Sequence, residues 1–267
     1  MLRLHPAPSP IVPPAADSLR PLTPEATNAP LASAAPTGCA PVLSAVGLGA
    51  QRGERPLFRS LGLDLQPGQL VWLRGRNGRG KTSLLRILAG LSAPARGHAL
   101  LDGEPVHCLP PALRPRLLYL AHANALKDDL TVTEALHFLA RLQALRPDAQ
   151  ALASALARVG MSARASAHVR TLSQGQRRRA ALARLALLMQ QAARAVWLLD
   201  EPFDALDDEG VQMLNELLTA HAQAGGSALL TSHQTVRLER HPVHELDLDP
   251  YAFRPATPKA ANAANTG

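Results

Sequence analysis

Aromatic residues are nearly missing from this 267-residue chain, where four Phe, two Trp and two Tyr make up 3% of the whole. Lysine is scarcer still. It stands only at Lys81, Lys127 and Lys259, although Lys and Arg together number 28, and the skew toward Arg is read as a compositional habit of the genome. The two cysteines, Cys39 and Cys108, lie far apart and outside any Cys-x-x-Cys pair. That excludes a zinc framework or a disulfide scaffold and sets a reducing compartment as the expectation. No run approaches 18 uninterrupted apolar residues, so no segment is expected to span a bilayer. A signal peptide is not expected either, because Pro6, Pro8, Pro10, Pro13 and Pro14 interrupt any apolar stretch near the start.

What is present begins with a formal charge of +7. Such a balance suits nucleic acid, an anionic bilayer surface or nucleotide phosphates. No RNA- or DNA-binding motif accompanies it, so a general surface effect is expected and a nucleic-acid partner is not. Residues 1–40 are rich in Pro, Ala, Ser and Thr without periodicity, as are residues 250–267. Both are expected to be disordered, since they cannot bury enough apolar surface to offset ordering entropy. The folded unit expected between them, 41–249, contains no internal repeat.

Within that unit Leu70-Val71-Trp72-Leu73 predicts a buried strand ending at Gly75, and Lys81 to Leu91 carries helical periodicity. Residues 98–120 mix short apolar runs with turns. Helices are predicted over 131–145 and 149–159, divided by Pro147, and from Ser173 to about Gln190. Val196–Leu199 and Ala228–Thr231 predict buried parallel strands. Strands alternating with helices indicate an α/β core, with the stretch 130–190 as a separable helical lobe.

Gly75-Arg76-Asn77-Gly78-Arg79-Gly80-Lys81-Thr82 matches G-x-x-x-x-G-K-[ST] at every fixed position and runs on into Ser83. Glycines let the backbone curl so that its N–H groups face phosphate oxygens, and the helix behind adds partial positive charge. Lys81 brings a full charge to the outer phosphates, and the Thr82 hydroxyl is a ligand for Mg²⁺. A plain strand-to-helix turn would reproduce this pattern in on the order of one in a hundred chains. Further along, Val196-Trp197-Leu198-Leu199-Asp200-Glu201 ends a strand in two carboxylates. Asp200 can hold magnesium and Glu201 can orient or deprotonate the attacking water.

Between these motifs lies Leu172-Ser173-Gln174-Gly175-Gln176. Ser173 and Gln176 form a capping box for the following helix. Gly175 costs helix stability in the first turn, which makes sense if a ligand approaches the backbone there.

The order of phosphate loop, LSxGQ, apolar-Asp-Glu and a later His resembles that of ABC ATPases across the whole folded unit. The resemblance implies a P-loop NTPase fold of the ABC nucleotide-binding type, with a RecA-like core, an antiparallel β subdomain and a helical subdomain. It implies ATP and Mg²⁺ as cofactors and a head-to-tail homodimer. Each nucleotide then lies between the phosphate loop of one copy and Ser173, Gly175 and Gln176 of the other. Glu201 is similar to the catalytic base, Asp207 in Ala205-Leu206-Asp207 to the loop that crosses the dimer, and His233 to the histidine that reads the γ-phosphate. Two departures stand out. Arg52 is the nearest equivalent of the adenine-stacking aromatic. Where relatives carry a glutamine near the metal stands His122, and either its imidazole or nearby Asn124 takes that place.

His122 before Ala125-Leu126-Lys127, the run Arg55-Pro56-Leu57-Phe58 before a first hairpin, the compact size, and Gln176-Arg177-Arg178-Arg179 resemble the ATP-binding subunits of the haem exporter of cytochrome c maturation. That implies integral-membrane permease subunits as partners and a peripheral place on the cytoplasmic side of the inner membrane. ATPases of drug, lipid or polysaccharide exporters share the core motifs, since cargo is chosen by other chains. ABC ATPases acting on DNA or ribosomes carry coiled coils or paired domains that this chain lacks.

Overall fold

In a computed structural model the described residues are 40–191 and 194–253. Of the extension expected over 1–40 all but residue 40, and of the tail expected over 250–267 all but residues 250–253, lie outside them. Alternation of apolar residues builds an antiparallel hairpin from β1 (Leu43–Arg52) and β2 (Arg55–Leu65). Arg55-Pro56-Leu57-Phe58, expected before the first hairpin, is the start of its second strand. The register of β1 slips between Ala45 and Leu48 and again by Ala50, so apolar residues stay inward despite the interrupted alternation. Next, β3 (Leu70–Arg74) leads through the phosphate loop into α1 (Lys81–Leu88), which stops three residues before the expected Leu91. The chain returns as β4 (Arg96–Leu101), antiparallel to β1, with β5 (Glu104–Pro105) beyond it. This first sheet has the order β2-β1-β4-β5.

The second sheet is parallel, and its strands other than the last are short and almost wholly apolar, as strands covered on both faces are. After β6 (Leu117–Leu120) come the helical lobe of α2 (Val132–Leu142), α3 (Ala149–Arg158) and α4 (Gln174–Gln191), then β7 (Val196–Leu199). The chain closes with α5 (Asp208–Gln223), β8 (Ser227–Thr231) and β9 (Val243–Asp247), and the strand order is β6-β7-β8-β3-β9. Every residue of β7 and β8 is buried.

Because side chains alternate across a strand, the two faces of this sheet are covered by different layers. Trp72, Leu118, Leu120, Trp197, Leu199 and Leu230 pack with the helical lobe and α5, whereas Val71, Leu73, Val196, Leu198 and Leu229 pack with α1 and the antiparallel sheet. Trp197 stacks on His221 of α5 at 3.6 Å between ring centroids, and burial pushes that imidazole down to about 4. It therefore sits in the core as a neutral ring, accepting no charge at physiological pH.

The folded unit, expected to end at 249, continues to Phe253. Asp249–Tyr251 form a 3₁₀ turn, Ala252 bridges Phe58, and the Phe253 N–H donates to the Leu57 carbonyl at 3.1 Å. The Arg59 guanidinium lies 4.2 Å over the Phe253 ring. Together these contacts hold the end of the described chain against β2, next to the phosphate loop.

Candidate functional site

Parallel β3, β7 and β8 end side by side, so the segments following them converge. That edge, beyond the carboxyl ends of the strands, is where open α/β sheets bind ligands. One wall of a cleft of about 500 Å³ is Asn77, Gly78, Gly80, Lys81, Thr82 and Ser83; the other is His122, Asp200, Glu201, Asp204 and His233. Arg52 and Leu57 complete the lining.

Helix α1 starts without a side-chain cap. Its N-cap position is Gly80, at φ 103°, and an added Cβ would lie 3.1 Å from Leu57 Cβ and from Phe58 Cδ1. Elsewhere Thr131, Asp148 and Asp207 cap α2, α3 and α5 with side-chain oxygens. The first-turn N–H groups of α1 have no such acceptor from their own cap, which is the arrangement an anion requires. Lys81 folds over the loop, its Nζ donating to the Gly75 carbonyl at 2.7 Å. Arg76 and Arg79 turn away to Asp249. The Arg76 main-chain N–H donates to Asp249 Oδ1 at 3.2 Å, and the Arg79 Nε lies 3.4 Å from the same oxygen. Asp249 thus braces the outer side of the loop, a role that no motif announced at the last residue of the expected folded unit.

Across the cleft, Asp200 is 4% exposed at the end of β7. Its Oδ1 accepts from the Thr82 hydroxyl at 3.2 Å and from the Thr231 hydroxyl at 3.0 Å. The same Thr231 oxygen accepts from the Glu201 N–H at 2.8 Å. Glu201 has φ 49°, a left-handed conformation that costs a non-glycine residue roughly 1–3 kcal/mol and persists where surrounding bonds over-determine it. Its carboxylate is steadied by His233, whose main-chain N–H donates to Oε2 at 3.1 Å and whose Nε2 is 3.8 Å from Oε1. The donor set fits a magnesium nucleotide: hard oxygens on Thr82 and Asp200 are adjacent, and an uncapped helix end and a lysine face the same space.

His122 lines the cleft with Nδ1 3.3 Å from Asp204 Oδ2. Asn124, its alternative, is not among the residues lining the cleft. The Asn124 side-chain oxygen accepts from Arg178 Nη1 at 3.0 Å, away from the cleft lining. Among the described residues no three of His, Cys, Asp and Glu are grouped as a metal cluster.

The LSQGQ segment caps its own helix. The Gln176 N–H donates to Ser173 Oγ at 3.2 Å and the Ser173 N–H to Gln176 Oε1 at 3.1 Å. The glycine expected to make way for a ligand has an intrachain reason: a Cβ on Gly175 would lie 3.0 Å from the Ala205 carbonyl. Asp207 caps α5 through the Gly210 N–H at 3.0 Å and also binds Arg179. The Arg179 hydrogen bond, with the Gly210 N–H, holds the Asp207 carboxyl below its usual range. Ser173, Gly175, Gln176 and Asp207 line no part of the phosphate cleft. Within one chain the two helix ends are separate sites.

Residues 58–204 match the profile of the family described as ABC transporter. The "Cytochrome c biogenesis ATP-binding export protein CcmA 2" of Cupriavidus metallidurans is 46% identical over 198 residues, covering 74% of this chain and 92% of the relative. A CcmA of Albidiferax ferrireducens is 45% identical over 208 residues, covering 78% and 97%. Among solved structures, a putative ABC transporter ATP-binding protein from Pyrococcus furiosus superposes with TM-score 0.66 at 21% identity, over 79% of this chain and 99% of that one. A dimeric ATP-binding cassette bound to ADP and Pi gives TM-score 0.63 at 21% identity, over 72% and 88%. Both share the two-sheet fold described above.

Proposed function

Because the chain belongs to the ABC transporter family and, within it, to the cytochrome c biogenesis ATP-binding export proteins, we propose that it drives haem export for c-type cytochrome maturation. It is the ATP-binding and ATP-hydrolysing subunit of that exporter. The observation that carries the catalytic reading is the meeting of an uncapped helix end and Lys81 with Asp200 and Glu201 across one cleft. Gly75 to Ser83 cradle the phosphates, with Lys81 on the outer ones. Thr82 and Asp200 hold Mg²⁺, and His122 faces the same space. Magnesium, when bound, neutralises charge on the phosphate oxygens. Glu201 accepts the proton of the attacking water, and His233 fixes its carboxylate and meets the γ-phosphate.

Ser173, Gly175 and Gln176 complete the site of a second copy, so the active form is a homodimer with Asp207 near the crossing. The support is their absence from the cleft of their own chain. Among the described residues no helix is long and apolar enough to cross a membrane, so export needs integral-membrane permease subunits. The chain then sits peripherally on the cytoplasmic face of the inner membrane. Leu91 and Leu142 are 59% and 70% exposed beside a second cleft between α1 and the helical lobe, an apolar surface suited to such a partner.

A strain lacking the gene, or carrying Lys81→Ala, tests the cargo. Apocytochrome c should accumulate without covalent haem while b-type haem remains, read by haem-stained gels and a membrane spectrum. Normal c-type staining would discard haem export and leave the ATPase untouched. Equal loss of both haem types would place the lesion in haem synthesis.

A further inference from the structure

Three consecutive arginines open α4, and neighbouring helix positions point about 100° apart. Arg177 reaches Asp128 Oδ1 at 2.6 Å, and Arg179 reaches Asp207 and Glu209. Arg178, between them, turns inward and is 2% exposed. A buried guanidinium is costly unless its donors are satisfied, and an apolar side chain would fill the same space more cheaply. Here the fork is fully used by two segments. On the 121–124 loop it donates to the carbonyls of Ala121 (3.1 Å) and His122 (3.3 Å) and to Asn124 Oδ1 (3.0 Å). After β7 it donates to the carbonyls of Asp200 (3.2 Å), Glu201 (2.5 Å) and Pro202 (3.2 Å).

The middle contact of that second set is the informative one. Glu201 is held left-handed, and its peptide groups are gripped from both sides: Thr231 takes the N–H, while Arg178 and the Asp204 N–H (3.2 Å) take the carbonyl. The other half of the fork holds the loop that carries His122 to the same wall of that cleft. We infer that Arg178 is a positioning residue for ATP hydrolysis, locking the Glu201 main chain and joining it to the His122 loop so that both meet the nucleotide in fixed register. It lines no part of the cleft and acts through Glu201. The inference rests on the reading of Glu201 as the group that activates water. Lysine cannot replace it, having three donors on one point and no planar fork.

The test uses the full-length chain assembled with its membrane partners. Arg178→Lys should lower kcat by about 30-fold, with KM for ATP within about threefold of the parent, because misplacement of a catalytic group leaves ground-state binding intact. ATP-induced stabilisation should be retained, although Tm falls because buried carbonyls lose their donors. Turnover within about twofold of the parent, or parallel loss of kcat and ATP binding, overturns the inference. Should Arg178→Lys fail to fold, Asn124→Ala cuts only one tether to the loop. It should lower kcat about fivefold at unchanged Tm, and parental turnover there overturns the inference. Glu201→Gln is measured alongside. Full activity in it overturns the reading of Glu201, whereas loss in Glu201→Gln beside normal turnover in Arg178→Lys removes the role of Arg178 alone.

Discussion

Helices α1 and α4 both begin in a glycine-bearing segment that the motifs mark as phosphate-facing, yet the two ends are built in opposite ways. At α1 the cap position is Gly80, with no side-chain oxygen for the first-turn donors, and the end opens on the cleft. At α4 Ser173 and Gln176 satisfy each other's N–H groups, and Gly175 is packed against the Ala205 carbonyl of the same chain. An end with spare donors binds its ligand by itself. An end already satisfied stays folded without ligand and presents a finished surface to another molecule. ATP affinity of a single chain should therefore follow α1, and turnover should follow both.

The largest expected effect comes from removing the cation at the open end. Lys81→Ala should lower phosphate release by about 10³-fold, on the scale of losing a preorganised electrostatic contact to a transferring phosphate. It should also abolish the ATP-induced stabilisation, which for the parent is about 2.7 kcal/mol at a hundred times Kd. A Lys81→Ala chain whose melting temperature still rises with ATP would break the contrast outright.

Ser173→Arg should come next, cutting turnover by about 100-fold through misalignment of the partner's contribution. In dilute solution its ATP-induced stabilisation should stay intact. Loss of that shift would mean that α4 serves the nucleotide of its own chain. Pairing Ser173→Cys with Asn77→Cys sharpens the point, since ATP should promote disulfides between copies, and crosslinks confined within one chain would refute the shared site.

Smaller effects separate the two glycine-bearing ends by stability alone. Gly80→Ala must adopt φ 103° with its Cβ against Leu57 and Phe58, at a cost of about 1–3 kcal/mol. Ser173→Ala removes one cap and should cost about 1 kcal/mol in denaturant melts without nucleotide. Equal losses at the two positions would say that the open end is no more constrained than the capped one.

Much of this was legible beforehand because it follows from local rules. Short apolar runs became the buried strands β3, β7 and β8, and Ser173 with Gln176 formed the capping box that their spacing implies. The parts that escaped depend on distance in space. Arg178 sits in a run of three arginines, and only the helix rotation shows which of them is buried. Thr231 reads as an apolar-strand residue, yet parallel pairing sets it opposite Leu73 and within reach of both Asp200 and Glu201. Asp249 closes the expected folded unit, and its partners are 173 and 170 residues away. The Ala205 carbonyl that closes on Gly175 comes from a loop 30 residues on.

The fan of arginines at 177–179 has a consequence for which changes the chain tolerates. Each side chain is addressed by its angle around α4: Asp128 for the first, the cleft loops for the second, Asp207 and Glu209 for the third. Exchanging one residue type severs one connection. Inserting or deleting a single residue ahead of them rotates all three by about 100° at once, sending two guanidinia to a neighbour's destination and the third to a place where no arginine stood. This stretch can therefore vary in spelling more readily than in length, and a frame-preserving one-codon deletion there should be more damaging than any single substitution among the three.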